Sequence, residues 1–148
     1  IELQKQKADL VITQQACPMW VPLIESGEHL HEGADYFVEK YLTELLERDP
    51  QIDTIILGCT HYPLLQEKIE AFLAKQNISE QSVSVIAQGE IVAESLADYL
   101  ERHSDIAERS LLGSTGNCTF LTTESANKFS GSASIFLEET ICAQHIEL

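Results

Sequence analysis

Short apolar runs alternate with longer amphipathic stretches along the first two thirds of the chain. Three such runs, at residues 10–13, 54–57 and 83–86, are rich in β-branched residues and are bounded by turn-forming residues. None of them alternates cleanly between polar and apolar positions, which is typical of strands buried on both faces of a parallel sheet. The pattern therefore predicts three parallel strands.

Amphipathic helices are predicted around these strands, because apolar residues recur at three- and four-residue spacing. They cover residues 34–46, 64–75 and 90–102, and the polar residues that open the chain indicate one more. Pro63 suits the first turn of the second helix, where its missing N–H leaves no backbone partner unsatisfied. The apolar stripes are formed by Phe37, Tyr41 and Leu45, by Leu65, Ile69, Phe72 and Leu73, and by Val92, Leu96, Tyr99 and Leu100.

The alternation of strand and helix predicts the fold class, a doubly wound α/β protein with a mostly parallel sheet flanked by helices. Residues 104–117 break the alternation, because Gly113, Gly116 and the lack of an apolar stripe are typical of a loop. We expect a surface loop there, with room for a short helical turn.

The last part of the chain returns to the earlier pattern. A strand is predicted at residues 118–122, a helix near 124–136 and a brief strand at 144–147. Phe129 and Phe136 would lie on one face of that helix.

The net charge of −15 is the unusual bulk property of the chain. It argues against nucleic acid as a partner, because no basic stripe is present to neutralise phosphates. It does not exclude an acidic ligand, since a few oriented backbone amides can hold a carboxylate. No apolar run approaches the roughly 18 residues of a membrane span, and no signal peptide pattern opens the chain. We expect a soluble, cytoplasmic protein without a membrane partner.

The four cysteines, Cys17, Cys59, Cys118 and Cys142, form neither a CxxC pair nor a convincing zinc-ligand spacing. Neither a metal site nor a disulfide is expected. Cys118 lies in an apolar run and is expected to be a small buried hydrophobe. A conspicuous cysteine in a cytoplasmic chain is more often catalytic or inert than disulfide-bonded.

The segment LGCTHYPLL at residues 57–65 is the strongest candidate site. Gly58 would allow a tight turn at the carboxyl end of a strand, where open α/β sheets bind ligands. Cys59 would then precede a helix whose N-terminal potential favours a thiolate and a substrate carboxylate. His61 could exchange protons with the thiol or with a substrate. A buried structural cysteine beside a surface histidine is the alternative, and the combined motif argues against it.

LGCTHYPLL resembles the second-cysteine signature of glutamate racemases, members of the aspartate/glutamate racemase superfamily. His61 favours glutamate as the substrate, since the aspartate-specific relatives usually carry an acidic residue at this position. The resemblance covers essentially the whole chain and includes the segment ACPMWVPLIESG at residues 16–27, Asp53, residues 88–90 and residues 120–123.

The resemblance implies racemisation of L-glutamate to D-glutamate for peptidoglycan, without a cofactor. Two cysteines on opposite sides of the α-carbon exchange its proton in this family, and Cys59 would be the second of them. His61 would handle protons for Cys59, and Thr60 would hold the substrate carboxylate. Glu25 matches a family glutamate near the site, so it is either a supporting electrostatic residue or a solvent-facing acid at a helix end. The full-length enzyme is expected to be a homodimer.

Cys17 also follows a predicted strand, which would place it at the same sheet edge as Cys59. It is followed directly by Pro18, and the family does not use this cysteine in catalysis. We therefore expect Cys17 to pack beside the site.

The resemblance implies the C-terminal part of an incomplete two-lobe fold. The family's other catalytic cysteine lies in a Cys-Asn-Thr type motif, after an early Asp-Ser pair, and neither is present here. Residues 1–88 would form most of the second lobe, and residues 89–148 would return to the first. The chain alone is expected to be inactive and to expose apolar side chains such as Phe129 and Phe136.

Two alternatives remain open. The chain could come from an aspartate or hydantoin racemase of the same superfamily. It could also be a non-catalytic α/β module whose cysteine is structural.

Overall fold

The computed structural model describes residues 2–76, 83–111, 118–137 and 139–148. Within these ranges short parallel strands alternate with helices, so the predicted α/β class is confirmed. The chain divides into two compact units, Ile1–Ile86 and Ala87–Leu148. Among the described residues, every helix is too short or too polar to pass through a bilayer.

The first unit contains a two-stranded parallel sheet and the helices around it. Strands β1 and β2 pair with Ile55 opposite Val85. The pairing continues past β1, because Leu57 donates its N–H to the carbonyl of Ile86 at 3.0 Å. The elements are α1 (Glu2–Gln6), α2 (Trp20–Glu25), a 3-10 helix (Glu28–Leu30), α3 (Glu32–Arg48), β1 (Thr54–Ile56), a second 3-10 helix (Tyr62–Leu65), α4 (Gln66–Lys75) and β2 (Ser84–Ile86).

The core of the first unit lies along α3. The buried side chains of this helix recur at the predicted three- and four-residue spacing, so burial of one apolar stripe stabilises it. α4 packs against α3, and the 3-10 helix before α4 contains Pro63. The buried residues are Ala34, Val38, Tyr41, Leu42 and Leu45 of α3, Ile69 and Phe72 of α4, and Ile24 and Leu65 from the neighbouring elements.

The second unit has its own pair of parallel strands. Leu121 lies opposite Gln144, and Ile146 donates its N–H to the carbonyl of Thr122 at 2.9 Å. The predicted helix and two strands in the last part of the chain are therefore confirmed. The elements are α5 (Gln88–Arg102), α6 (Ser104–Leu111), β3 (Phe120–Thr122), α7 (Ala126–Leu137) and β4 (Ala143–His145).

Two serines of α7 connect this helix to the segment that leads into β4. Ser130 Oγ accepts the N–H of Ala143 at 2.9 Å, and Ser134 Oγ accepts the N–H of Ile141 at 3.0 Å. Each hydroxyl also donates to a carbonyl four residues earlier in the helix. Both hydroxyls therefore satisfy backbone groups on two elements at once.

Helix α5 carries the predicted apolar stripe but buries none of it. Ile91, Val92 and Leu96 each expose more than half of their surface. On α7, Phe136 is exposed and Phe129 is half-buried. The uncovered apolar surface of this unit is therefore larger on α5 than on α7. The assignment of residues 1–88 and 89–148 to two lobes stays a prediction.

The predicted strand at residues 10–13 is wrong. These residues have no regular secondary structure, and Val11 is 83% exposed. A β-branched run forms a strand only where a neighbouring strand supplies hydrogen-bond partners. No strand in the described ranges pairs with this segment.

The predicted loop after α5 is wrong over its first half. Ser104–Leu111 is the helix α6, while residues 112–117 lie outside the described part of the chain. Residues 104–111 contain neither Gly nor Pro, and Ala, Glu, Arg and Leu among them are good helix formers. The glycines that suggested a loop come only afterwards.

The predicted burial of Cys118 is also wrong. Its side chain is exposed. β3 begins two residues later, at Phe120, so Cys118 precedes the paired part of the run and is not covered by it.

Candidate active site

Cys59 lies in the bend that connects β1 to the helices after it. The bend is closed by backbone hydrogen bonds, from Tyr62 N–H to the carbonyl of Cys59 and from Leu64 N–H to the carbonyl of His61, both at 3.1 Å. The position of the motif between a strand end and a helix start is the one that the sequence indicated. The side chain of Cys59 is half-buried, with a free thiol.

Gly58 is not required by the turn that contains it. A Cβ at this position would meet no heavy atom within 4 Å, and its φ lies outside the left-handed region. The expectation that Gly58 lets the backbone turn where a side chain would clash is therefore not supported by the geometry. Gly27, which follows α2, has φ 77°, a conformation that disfavours a side chain.

These two glycines give a matched pair for a stability measurement. Gly27→Ala is expected to destabilise the chain by about 1–2 kcal/mol, because alanine is strained in the left-handed region. Gly58→Ala is expected to change the free energy of unfolding by less than about 1 kcal/mol. Urea unfolding followed by circular dichroism measures both. Equal destabilisation by the two substitutions would contradict this assignment of their roles.

Three side chains of the candidate site form a row. Cys59 Sγ lies 3.9 Å from His61 Nδ1, and His61 Nε2 lies 3.4 Å from Glu25 Oε1. A proton on Nε2 would face the carboxylate and leave Nδ1 as an acceptor for the thiol proton. The row therefore has the geometry of a thiol, a proton acceptor and a carboxylate that orients the acceptor.

Glu25 comes from a different part of the chain than the other two residues. It ends α2, and its side chain is 62% exposed, compared with 24% for His61. An ion pair this exposed contributes little to stability, about 0–1 kcal/mol. The carboxylate of Glu25 faces solvent and also lies beside His61, and its supporting role in the site stays a prediction.

Thr60 is exposed at the bend, between Cys59 and His61. Within the described part of the chain its hydroxyl forms no hydrogen bond. The role of Thr60 in holding a substrate carboxylate stays a prediction. The described residues also contain no group of three His, Cys, Asp or Glu side chains that could hold a metal ion.

An aromatic pair behind this row was missed by the sequence reasoning. Trp20 is 3% exposed, and its ring lies 4.8 Å from the ring of Tyr62 in an edge-on arrangement. The signal was present, since Tyr62 lies inside the motif and Trp20 is the single tryptophan. What the sequence could not show is that the two rings meet.

Cys17 is buried next to this pair but does not end a strand. Burial, reinforced by the nearby carboxylate of Glu44, raises the pKa of the Cys17 thiol from 9.0 to about 12. The fold therefore favours the neutral thiol. The contribution of this thiol to the free energy of unfolding is fully present below about pH 9 and is lost as the pH rises towards 12. Burial also raises the pKa of Tyr62, and the negative charges that Cys17 and Cys59 carry when ionised add to the effect.

Comparison with known proteins identifies the class to which this fold and site belong. No family model matches the chain. A glutamate racemase from Ruegeria sp. (strain TM1040) is 35% identical over 140 residues, which are 95% of this chain and 47% of that protein. The glutamate racemase isoform RacE1 from Bacillus anthracis has a TM-score of 0.73 and 28% identity, over 99% of this chain and 50% of that one.

The fold is also that of a glutamate racemase from Francisella tularensis crystallised with D-glutamate. The match to that structure has a TM-score of 0.73 and 23% identity, and it covers 99% of this chain and 51% of the Francisella chain. The fold and the sequence relatives thus group this α/β chain with part of a glutamate racemase. The chain belongs to the glutamate racemase family. It spans about half the length, or less, of the curated relatives that it matches.

Proposed function

We propose that this chain supplies one side of a glutamate racemase site, with Cys59 as the group that exchanges a proton with the α-carbon of glutamate. The observation that carries the proposal is the row formed by Cys59, His61 and Glu25. The sequence relatives support glutamate as the substrate, because they are glutamate racemases. The Francisella structure, which was solved in complex with D-glutamate, agrees with glutamate as the substrate.

The proposed chemistry uses two acid/base groups and no cofactor. Inversion of an α-carbon requires one group to remove its proton from one face while another returns a proton from the opposite face. Cys59 takes the α-proton as a thiolate, and the electron pair of the broken C–H bond moves towards the substrate carboxylate. In the reverse direction Cys59 is a thiol and gives its proton to that carbon.

His61 prepares Cys59 for this exchange in the proposed mechanism. Nδ1 of His61 accepts the thiol proton, which leaves a thiolate beside an imidazolium. The carboxylate of Glu25, at 3.4 Å from Nε2, orients the ring and stabilises its positive charge. Thr60 holds the substrate carboxylate through its hydroxyl or its backbone N–H.

The other side of the site is proposed to come from protein outside these 148 residues. The chain contains the Cys-Thr-His motif but no Cys-Asn-Thr motif, and it aligns with about half of the Francisella and Bacillus racemase structures. Residues 1–88 and 89–148 would belong to two lobes, and the complete enzyme would be a cytoplasmic homodimer that supplies D-glutamate for peptidoglycan.

Thiol labelling tests whether Cys59 is activated. Cys59 is half-buried, whereas Cys118 and Cys142 are exposed, so an unactivated Cys59 would be alkylated more slowly than either. We expect the opposite order at pH 7, with Cys59 labelled roughly tenfold faster, because an ordinary thiol is only a few per cent ionised at this pH. Peptide mass spectrometry after iodoacetamide pulses measures the three rates. A Cys59 rate equal to or below that of Cys118 would contradict the proposal.

A further inference from the structure

The ring of His61 lies beside Cys59, and this placement needs a contact that holds it there. The contact between His61 and Glu25 is a weak candidate, because the carboxylate is largely exposed and exposed ion pairs contribute little. The residue after His61 is Tyr62, whose backbone N–H already bonds to the carbonyl of Cys59 at 3.1 Å. Tyr62 is therefore linked to Cys59 by this hydrogen bond and to His61 by the peptide bond between them.

The ring of Tyr62 packs against Trp20, and Trp20 is itself held by contacts with α3. Trp20 is almost completely buried, and its indole N–H donates to the carbonyl of Phe37 on α3 at 3.3 Å. A second edge-on ring contact joins Trp20 to Tyr41, also on α3, with the centroids 6.1 Å apart. The indole is therefore held by the core of the first unit.

Trp20 and Glu25 are the two ends of the same short helix, α2. Two contacts thus join α2 to the active-site bend, one between Trp20 and Tyr62 and the other between Glu25 and His61. The first contact involves the buried ring of Trp20 and the half-buried ring of Tyr62, whereas the carboxylate in the second is largely exposed. His61 and Tyr62 are adjacent in the chain, so both contacts are made by the same bend.

We propose that Tyr62 is a positioning residue whose ring, seated edge-on against Trp20, holds His61 between Cys59 and Glu25. The inference rests on the proposed function, since it assigns to Tyr62 an effect on Cys59 that passes through His61. The ring carries the effect, because the 4.8 Å contact is between ring centroids. Edge-on aromatic pairs are specific in geometry, so an aliphatic side chain does not replace them.

The experiment measures the alkylation rate of Cys59 in Tyr62→Leu and Tyr62→Phe variants. Tyr62→Leu is expected to slow the alkylation of Cys59 roughly five- to tenfold, which lies within the range of an aromatic pair interaction, while Tyr62→Phe stays within about twofold of the native rate. Cys118 serves as the internal reference, and thermal unfolding confirms that each variant is folded. If Tyr62→Leu fails to fold, Tyr62→Met takes its place, with slower labelling of Cys59 expected.

A double-substitution cycle separates positioning from simple packing. In a His61→Asn background, Tyr62→Leu is expected to have no further effect on Cys59, because the two substitutions act through one interaction. Equal slowing with and without His61 would overturn the inference, and so would a native rate in Tyr62→Leu or slowing by Tyr62→Phe as large as by Tyr62→Leu. A native Cys59 rate in His61→Asn alone would contradict the proposed function instead.

Discussion

No conversion of D-glutamate to L-glutamate, or of L-glutamate to D-glutamate, is expected when either is incubated in D2O with these 148 residues. Exchange with inversion needs acid/base groups on both faces of the carbon, and the proposed site supplies Cys59 on one face only. Chiral chromatography of the two enantiomers measures the inversion over hours. An intact glutamate racemase in the same buffer is the positive control.

Turnover by the chain at a rate typical of enzymes, about 1–1000 per second, would contradict the half-site proposal. Such a result would require a second base within these residues. Cys17 would then be the first residue to replace, since it is buried near Tyr62, but its raised pKa of about 12 opposes a role as a thiolate. A Cys17→Ala variant that kept the turnover would exclude it.

Replacing His61 with Asn is expected to slow alkylation of Cys59 at pH 7 by roughly ten- to thirtyfold. Without the imidazole the thiol loses its proton acceptor, and only the few per cent of thiolate present in an ordinary cysteine remains reactive. The pH dependence should change as well, because the rate of an unassisted thiol rises about tenfold per pH unit through neutrality. Labelling reactions at several pH values between 6 and 9 are stopped at successive times, and peptide mass spectrometry of the samples measures both effects.

His103→Asn is the matched control for that experiment. His103 lies in the second unit, stacked on Tyr99, and its Nδ1 is 2.8 Å from the carbonyl of the same residue. Its loss should leave the labelling of Cys59 unchanged. A rate that falls equally in both histidine variants would point to general destabilisation and not to an acceptor role for His61.

The local features of this chain were predictable from its sequence. The stripe on α3, the strand before Cys59 and the helix after Pro63 each depend on neighbouring residues, and periodicity or turn chemistry detects them. The candidate cysteine was identified in the same way, since its motif lies within nine consecutive residues.

The contacts that were missed depend on residues far apart in the chain. The approach of Glu25 to His61 spans 36 residues, and that of Trp20 to Tyr62 spans 42. Nothing in local spacing indicates either distance. The wrong strand at residues 10–13 has the same cause, because strand formation depends on a partner elsewhere in the chain.

Alkylation of the buried Cys17 thiol measures how often the native state opens. With its pKa raised to about 12 and its side chain covered, Cys17 is almost never a thiolate while α2 stays packed on α3. Any alkylation of Cys17 at neutral pH therefore counts molecules that have opened, at a rate proportional to the open population. The same peptide digest that ranks the reactivity of Cys59 thus also measures local unfolding around Cys17.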